Sequence, residues 1–371
     1  MLAVLMLTLG LFLAACGGSD DGSEEDTPEE DNTGDTGSEG DSSEGESESA
    51  SDIEEQEWLF VTEEQDGQVQ YEYAEEFANR ISEKSGGKIT VTPYEFGGLG
   101  DEVDQVEQLQ NGAVQLAVTS PGFIGNMVKE SQIFALHFLF PDSVEQTQEI
   151  LNTSEALNQD LVKQYQEHGL TPLSFWSEGF MQWTANKPLE QPSDFENFKM
   201  RVQTSPLIIE SYEAYGANPQ SMSWGDLYTG LDQGTVDGQE NPIFFIADAS
   251  FNEVQDYMML SRHNNYVATT TVNSEWYEGL SEEVQTMVDE TVDEMQEWVF
   301  EEQKAQNEDF LEQIKTDTDT PTEVVELSEE QREAFRELAV PVRDFYRNEV
   351  STVDGAILDK LIEEIEAATA E

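Results

Sequence analysis

A single arginine stands out among the apolar residues at positions 195–209, which read FENFKMRVQTSPLII. The chain carries 80 Asp and Glu against 16 Lys and Arg, a formal net charge of −64, so a basic residue in an apolar segment needs an explanation. The alternation of apolar residues around Arg201 predicts a strand with the arginine on its polar side. Ser205 and Pro206 then predict a helix start, because serine caps helices and proline suits the first helical position. Arg201 is therefore expected beside helix N–H groups, where a guanidinium can hold a carboxylate through two hydrogen bonds.

These residues alone leave a second interpretation open, in which Arg201 pairs with one of the chain's own acids. Catalysis finds no support in the sequence. The three histidines, His137, His168 and His263, are not spaced as a metal or nucleophile motif, and no HExxH, Walker loop, GxSxG or paired cysteines occur. The sequence thus indicates ligand binding without a cofactor or a metal, rather than an enzyme.

The acidity of the chain limits its partners. Nucleic acids and anionic membrane surfaces would both repel a body with this charge, so neither is expected to bind it. High salt would screen the self-repulsion, which makes a salt-loving source plausible.

The first residues, MLAVLMLTLGLFLAACGG, predict a secretion signal rather than a membrane span, because the apolar run is short. It ends in Leu-Ala-Ala-Cys, which resembles a bacterial lipobox and predicts residues 1–16 as a lipoprotein signal with lipidation at Cys16. No Lys or Arg precedes the apolar run, which departs from the usual signal pattern. Residues 17–56 are acidic and almost free of apolar side chains, so we expect a disordered tether.

From residue 57 onward, strand and helix patterns alternate. EWLFV, KITVTPY and AVQLAVTS read as strands, while VQYEYAEEFANRISEKSGG and GDEVDQVEQLQNG read as helices that end at glycine. This alternation predicts an α/β body with largely parallel pairing.

A short internal echo suggests two similar lobes. LQNGAVQ at 109–115 and LDQGTVD at 231–237 each join a helix to a strand, and each strand leads to a polar turn with proline, VTSP and GQENP. If two such lobes face each other, the binding cleft is expected at the carboxyl ends of the strands.

The segment FKMRVQTSPLIIESYEAYGANPQSMSWGDLYTGLDQGTVDGQENP closely resembles the core of TRAP (tripartite ATP-independent periplasmic) transporter solute-binding proteins of the DctP family. Supporting segments are FANRISEKSGGKITV, FGGLGDEVDQVEQLQNGAVQLAV and TANKPLEQPSDFENFKMR. The resemblance covers about residues 57–345.

The resemblance implies a periplasmic-binding-protein-like α/β fold with two lobes, mixed mainly parallel sheets, a hinge and a long helix at about 281–317 that crosses both lobes. The chain would pass between the lobes near residues 178 and 266. Lobe I would comprise residues 57–177 and 266–305, and lobe II residues 178–265 and 306–371.

Carried over by position, the family's roles make Arg201 the clamp on the ligand carboxylate and Asn241 a side-chain donor to it. Further contacts from the second lobe would be Trp224, as a pocket aromatic, and His263. Core packing for the tryptophan and a structural role for the histidine are the open alternatives. The first lobe would supply three polar contacts, namely Glu63, Glu102 and Ser120.

One departure from the family concerns Met181, which stands in GFMQW where many members carry a second basic residue. A single arginine favours a small organic acid held by one carboxylate. A dicarboxylate remains an option, and a zwitterionic compatible solute is a third. The expected function is extracytoplasmic capture of that solute by a lipid-anchored protein, which then delivers it to TRAP membrane subunits. The alternatives are the binding protein of an ATP-driven importer and a sensory ligand-binding module.

Overall fold

The computed structural model describes residues 53–348 and 353–370. The predicted signal, Cys16 and the tether up to residue 52 lie outside this part of the chain. Ile53 is already buried and the first strand begins at Gln56, so regular structure starts slightly before residue 57. No helix of the described residues combines the length and the apolarity needed to cross a membrane.

Eleven strands occur in the described residues, in two main sheets and one two-stranded ribbon. They are β1 (Gln56–Val61), β2 (Ile89–Tyr94), β3 (Leu116–Thr119), β4 (Leu170–Phe180), β5 (Gln182–Ala185), β6 (Arg201–Val202), β7 (Gln220–Ser221), β8 (Gly238–Asn241), β9 (Tyr257–Leu260), β10 (Asn265–Asn273) and β11 (Glu323–Glu326).

Thirteen α-helices occur in the same residues. They are α1 (Val69–Lys84), α2 (Glu102–Gln110), α3 (Pro121–Ile124), α4 (Val144–Thr153), α5 (Val162–Gln166), α6 (Pro206–Ala214), α7 (Trp224–Asp232), α8 (Ile243–Asp248), α9 (Ser274–Glu278), α10 (Glu282–Thr316), α11 (Glu329–Ala339), α12 (Val342–Asn348) and α13 (Gly355–Thr369). Shorter segments are 3-10 turns at Lys129–Ala135, Pro192–Phe195 and Phe251–Glu253, and a π-helical stretch at Ala156–Leu161.

The first sheet has the strand order β2-β1-β3-β10-β4, and the second has the order β11-β9-β5-β8. The α/β class, the two sheets and the long helix agree with the predicted fold. The sheets are mixed, as predicted, but parallel pairing does not predominate. Four ladders between the named strands are parallel and four are antiparallel. The antiparallel ladders all involve β5 or β10, strands that the chain enters directly from the other sheet without a crossover helix.

The chain passes from the first sheet to the second between Phe180 and Gln182, and returns between Leu260 and Asn265. These two connections lie side by side, because the Met181 N–H donates to the Asn264 carbonyl at 2.9 Å. The two sheets are thus joined by a narrow pair of strands, the geometry of a hinge.

Helix α10 spans both sheets. Its first half buries Val288, Met295 and Val299 in a core with α1 and the first sheet, and its last turns bury Ile314 in a smaller core with α7, α8 and β9. Ser281 caps its first turn by accepting the Val284 N–H at 3.3 Å. This helix confirms the prediction made for residues 281–317 and contributes side chains to both cores.

Helix α13, at the end of the described chain, packs against α4 and the π-helical stretch that precedes α5. Helix α12 packs against α6. The C-terminal helices therefore contact elements on both sides of the hinge, and the bounds of the two lobes stay a prediction.

Candidate functional site

Arg201 is the first residue of β6 and is only 3 % exposed. Its Nε donates to the Met222 carbonyl at 3.0 Å. No carboxylate oxygen of residues 53–348 or 353–370 lies within 4.0 Å of its guanidinium nitrogens, so it forms no internal ion pair there. Burial lowers the pKa of Arg201, and the negative field of Glu102 opposes that shift. A buried guanidinium without an anionic partner is unfavourable, which makes this position receptive to an anion.

The helix that follows Arg201 begins where the sequence predicts. Ser205 caps α6 by accepting the Ile208 N–H at 3.4 Å, and Pro206 is the first helical residue. The strand is short, because β6 pairs with only two residues of β7. Arg201 is therefore fixed between a parallel ribbon and a helix start, as expected from Ser205 and Pro206.

Glu63 and Ser120 lie together at one edge of the first sheet. They follow β1 and β3, which are parallel neighbours, so their carboxyl ends meet. The Ser120 N–H donates to Glu63 Oε1 at 3.0 Å, while Glu63 Oε2 is buried without a hydrogen-bond partner among the described residues. Burial raises the pKa of Glu63 to about 8, against the hydrogen bonds from Ser120 that lower it.

Glu102 bridges the two halves of the site. It is the first residue of α2, and its Oε1 accepts the Trp224 N–H of α7 at 3.2 Å. Burial raises its pKa, and Arg201 is among the groups that oppose this. Glu102 also raises the pKa of Glu63 by its charge, so the three ionisable groups share one electrostatic environment.

A row of aromatic rings adjoins these charges. The ring centroids of Trp224 and Phe245 are 5.0 Å apart, and those of Phe245 and Tyr266 are 5.9 Å apart. Tyr266 is the second residue of β10, which follows the hinge, and its hydroxyl accepts a hydrogen bond from Gln203 at 3.4 Å. Such rings can stabilise a cation that lies against their faces.

Asn241 and Met181 lie near the hinge in different settings. Asn241 ends β8, opposite Gln182 of β5, and its amide donates to the side chain of Gln239. Met181 is 5 % exposed and lines a cavity between the sheets together with Gln203, Tyr266 and other residues of both lobes. That cavity measures about 20 Å³, roughly the space of one water molecule.

His263 lies apart from the residues around Arg201. It is fully buried, its Nδ1 is 2.7 Å from Ser261 Oγ and its Nε2 is 2.6 Å from Glu240 Oε2. Both ring nitrogens of His263 thus have polar partners within the protein, and its contact with an organic ligand stays a prediction. Burial lowers the pKa of His263 well below its ordinary value.

The other histidine of this buried cluster is His137. Its Nδ1 is 2.9 Å from the Tyr215 hydroxyl, and its Nε2 is 3.9 Å from Glu240 Oε2. Burial lowers the pKa of His137 to about 3, and the charge of Glu240 opposes this. Burial also raises the pKa of Glu240.

Sequence reasoning missed Gln203, Phe245 and Tyr266. A signal existed for Gln203, because the alternation that places Arg201 on the polar side of the strand places Gln203 there too. The two aromatic residues reach the site through α8 and the hinge return, and no local pattern reveals that. A larger groove of about 400 Å³ runs along α10 near the hinge and is lined by Phe180, Phe300 and other residues. None of the predicted ligand contacts lines this groove.

The family described as "Bacterial extracellular solute-binding protein, family 7" (DctP) matches residues 60–349. The chain is 37 % identical over 314 residues to the ectoine-binding periplasmic protein TeaA of Halomonas elongata, with 85 % of this chain and 91 % of that protein covered. It is 34 % identical over 321 residues to the ectoine/5-hydroxyectoine-binding periplasmic protein UehA of Ruegeria pomeroyi, with 84 % and 91 % covered.

A solved structure of the periplasmic ectoine-binding protein from the TeaABC TRAP transporter of Halomonas elongata has the same fold. It superposes with a TM-score of 0.80 at 38 % identity and covers 84 % of this chain and 99 % of that one.

Proposed function

The chain belongs to family 7 of the bacterial extracellular solute-binding proteins, the TRAP-transporter type, and from this premise we propose that it captures a small zwitterion of the ectoine class. A family of solute-binding proteins agrees with a role that involves no catalysis. It favours neither an ATP-driven importer nor a sensory module.

The observation that carries the proposal is that a buried guanidinium and a buried carboxyl group, neither with a charged partner within 4.0 Å among the described residues, share one electrostatic environment through Glu102. Arg201 is buried without a carboxylate within 4.0 Å among the described residues, and Glu63 offers a buried Oε2 without a partner. A ligand with an anionic and a cationic end satisfies both groups at once. This matters because buried charges are costly until they are paired.

At the anionic end, the ligand carboxylate pairs with the guanidinium of Arg201. A planar guanidinium donates two parallel hydrogen bonds to a carboxylate, a geometry that lysine lacks. Asn241 would assist as a second donor after a small rotation away from Gln239.

At the cationic end, Glu63 accepts hydrogen bonds from the ligand. Ectoine is a ring that carries a carboxylate and a delocalised amidinium with two N–H groups, and the amidinium suits a carboxylate partner. The rings of Trp224, Phe245 and Tyr266 add a cation–π contribution of about 0.5–2 kcal/mol. A dicarboxylate would instead bring a second negative charge towards Glu63 and Glu102.

Entry requires the lobes to part, because Arg201 and Glu63 are both buried and the cavity lined by Gln203 and Tyr266 holds only about 20 Å³. Bending at the paired strands near Met181 and Asn264 would open the cleft, and the ligand would then stabilise the closed form by its contacts with both lobes. The closed form would deliver the solute to TRAP membrane subunits, and a lipid on Cys16 would hold the protein at the extracytoplasmic face of the membrane.

Isothermal titration tests this assignment with ectoine, 5-hydroxyectoine, succinate and galactonate as ligands. We expect the two zwitterions to bind and Arg201→Ala to weaken them by about 2–5 kcal/mol, roughly 30- to 5,000-fold. Arg80→Ala is the matched control, since Arg80 already pairs with Glu76 at 2.7 Å, and it should leave affinity unchanged. Tight binding of succinate without ectoine binding would overturn the zwitterion assignment.

A further inference from the structure

The cluster of His137, Glu240 and His263 brings three metal-ligating side chains together from three distant segments. His137 follows the 3-10 turn at Lys129–Ala135, Glu240 lies in β8, and His263 lies between β9 and β10. One donor atom from each residue lies within 4.8 Å of the other two. The imidazole centroids are 4.7 Å apart, so the rings approach each other closely.

The orientation of the two imidazoles is set from outside the cluster. Each Nδ1 is hydrogen-bonded to a hydroxyl, that of Ser261 for His263 at 2.7 Å and that of Tyr215 for His137 at 2.9 Å. Both Nε2 atoms consequently face Glu240 Oε2, at 2.6 and 3.9 Å. In metal sites a hydrogen bond from the remote ring nitrogen to an oxygen partner fixes the orientation of a histidine ligand, and the two hydroxyl oxygens can serve that purpose here.

The backbone beside both histidines is held in an unusual conformation. Phe138 has φ of 53° and Arg262 has φ of 47°, a region that residues other than glycine seldom adopt. The Phe138 N–H donates to the His263 carbonyl at 2.7 Å, which ties the two segments together. Such strain persists only where the surroundings enforce it, and here it fixes the two imidazoles next to each other.

We propose that these three side chains form a zinc site, with Nε2 of His137, Nε2 of His263 and a carboxylate oxygen of Glu240 as ligands. Two imidazoles and one carboxylate are a donor set that zinc prefers. Around a tetrahedral zinc with bonds of about 2.0–2.1 Å, neighbouring ligand atoms lie roughly 3.3 Å apart. The present separations from Glu240 are 2.6 and 3.9 Å and no pair of donor atoms is more than 4.8 Å apart, so shifts of at most about 1.5 Å complete the site.

The fourth ligand would be a water molecule from the cavity of about 20 Å³, because His137 and Glu240 both line it. Binding releases to solvent the proton that His263 and Glu240 share. The ion would then cross-link β8 with the returning hinge strand and the segment after the 3-10 turn.

The test must separate this cluster from a chain with 80 acidic residues, which will bind divalent ions weakly at many surface positions. Chelator-treated protein, free of organic ligand, is titrated with zinc in the presence of excess Mg²⁺. This ion occupies surface carboxylates but binds imidazole nitrogen poorly. We expect one tightly bound zinc per chain and a rise in melting temperature. Cobalt in place of zinc should give the visible absorption bands of a tetrahedral site.

Matched variants assign the site. His137→Gln should lose the stoichiometric zinc, whereas His168→Gln, the same change at the exposed third histidine, should keep it. Tyr215→Phe, which removes only the hydroxyl beside His137, should weaken zinc about 10- to 100-fold without unfolding the protein. The proposal is overturned if the unmodified chain retains no zinc in magnesium, or if His137→Gln stays folded and retains it. Neither result would bear on ectoine binding.

Discussion

The affinity for ectoine should depend on pH through the ionisation of Glu63. Burial raises the pKa of Glu63 to about 8, so the carboxyl of the unliganded protein is mostly protonated at neutral pH. An amidinium needs the ionised form as its acceptor. Binding must therefore remove a proton from Glu63, and ectoine should bind more tightly as pH rises towards 9.

The size of this effect follows from the pKa. With a value of about 8, Glu63 is ionised in roughly one-hundredth of the molecules at pH 6, one-tenth at pH 7 and nine-tenths at pH 9. The dissociation constant should fall about tenfold per unit below pH 8 and then level off. From pH 6 to pH 9 the gain is roughly 90-fold, or about 2.7 kcal/mol.

Titration calorimetry across this range, in buffers of different ionisation enthalpy, measures both the affinity and the proton released. Glu63→Gln should bind ectoine weakly and without this pH dependence, while Glu107→Gln, at an exposed position of α2, should behave like the unmodified chain. The reasoning is refuted if affinity is flat from pH 6 to 9, or if Glu63→Gln shows the same slope.

The same shift affects stability with the opposite sign. Since the folded protein holds the Glu63 proton up to about pH 8 and the unfolded chain loses it near 4.5, the folded state binds more protons in this window. The free energy of unfolding of the ligand-free protein should therefore fall as pH rises from 4.5 to 8, by at most about 1.4 kcal/mol per unit from this group. Glu63→Gln should remove that contribution, which denaturant titrations at both pH values would reveal.

Three further changes test neighbouring parts of the account. Glu102→Gln keeps an acceptor for the Trp224 N–H but removes a negative charge near Arg201, so calorimetry should show anionic carboxylates binding about three- to tenfold more tightly. Trp224→Ala should raise the ectoine dissociation constant about tenfold by removing a ring from the aromatic row, and an unchanged constant would exclude the row from binding. Ser328→Ala removes the cap of α11 and should lower the free energy of unfolding by about 0.5–2 kcal/mol in urea, with ectoine affinity unaffected.

Local signals in the sequence predicted the elements that depend on near neighbours. The start of α6 follows from Ser205 and Pro206, and α11 begins with a capping box formed by Ser328 and Gln331, a spacing that the sequence itself contains. The long helix that the resemblance implies at about 281–317 is α10, whose ends at Glu282 and Thr316 lie within a residue of those bounds. These features are encoded by contacts within one or two turns.

Features that depend on distant partners were not predictable in the same way. The polar residues of GQEN were interpreted as a turn, yet Gly238–Asn241 form β8, because β5 supplies a ladder for their backbone groups. The sequence motif also gave no sign that Glu240 meets His137 and His263 in a buried cluster. Those contacts are made by segments that only the hinge brings together, and no periodicity along the chain records them.

The most direct test of two-ended recognition is a crystal structure of the protein with ectoine bound. The account predicts the ligand carboxylate within hydrogen-bonding distance of both terminal nitrogens of Arg201, and the amidinium donating to Glu63. A structure in which Arg201 pairs with Glu102 or Glu240, while ectoine lies elsewhere or has its ends reversed, would contradict it.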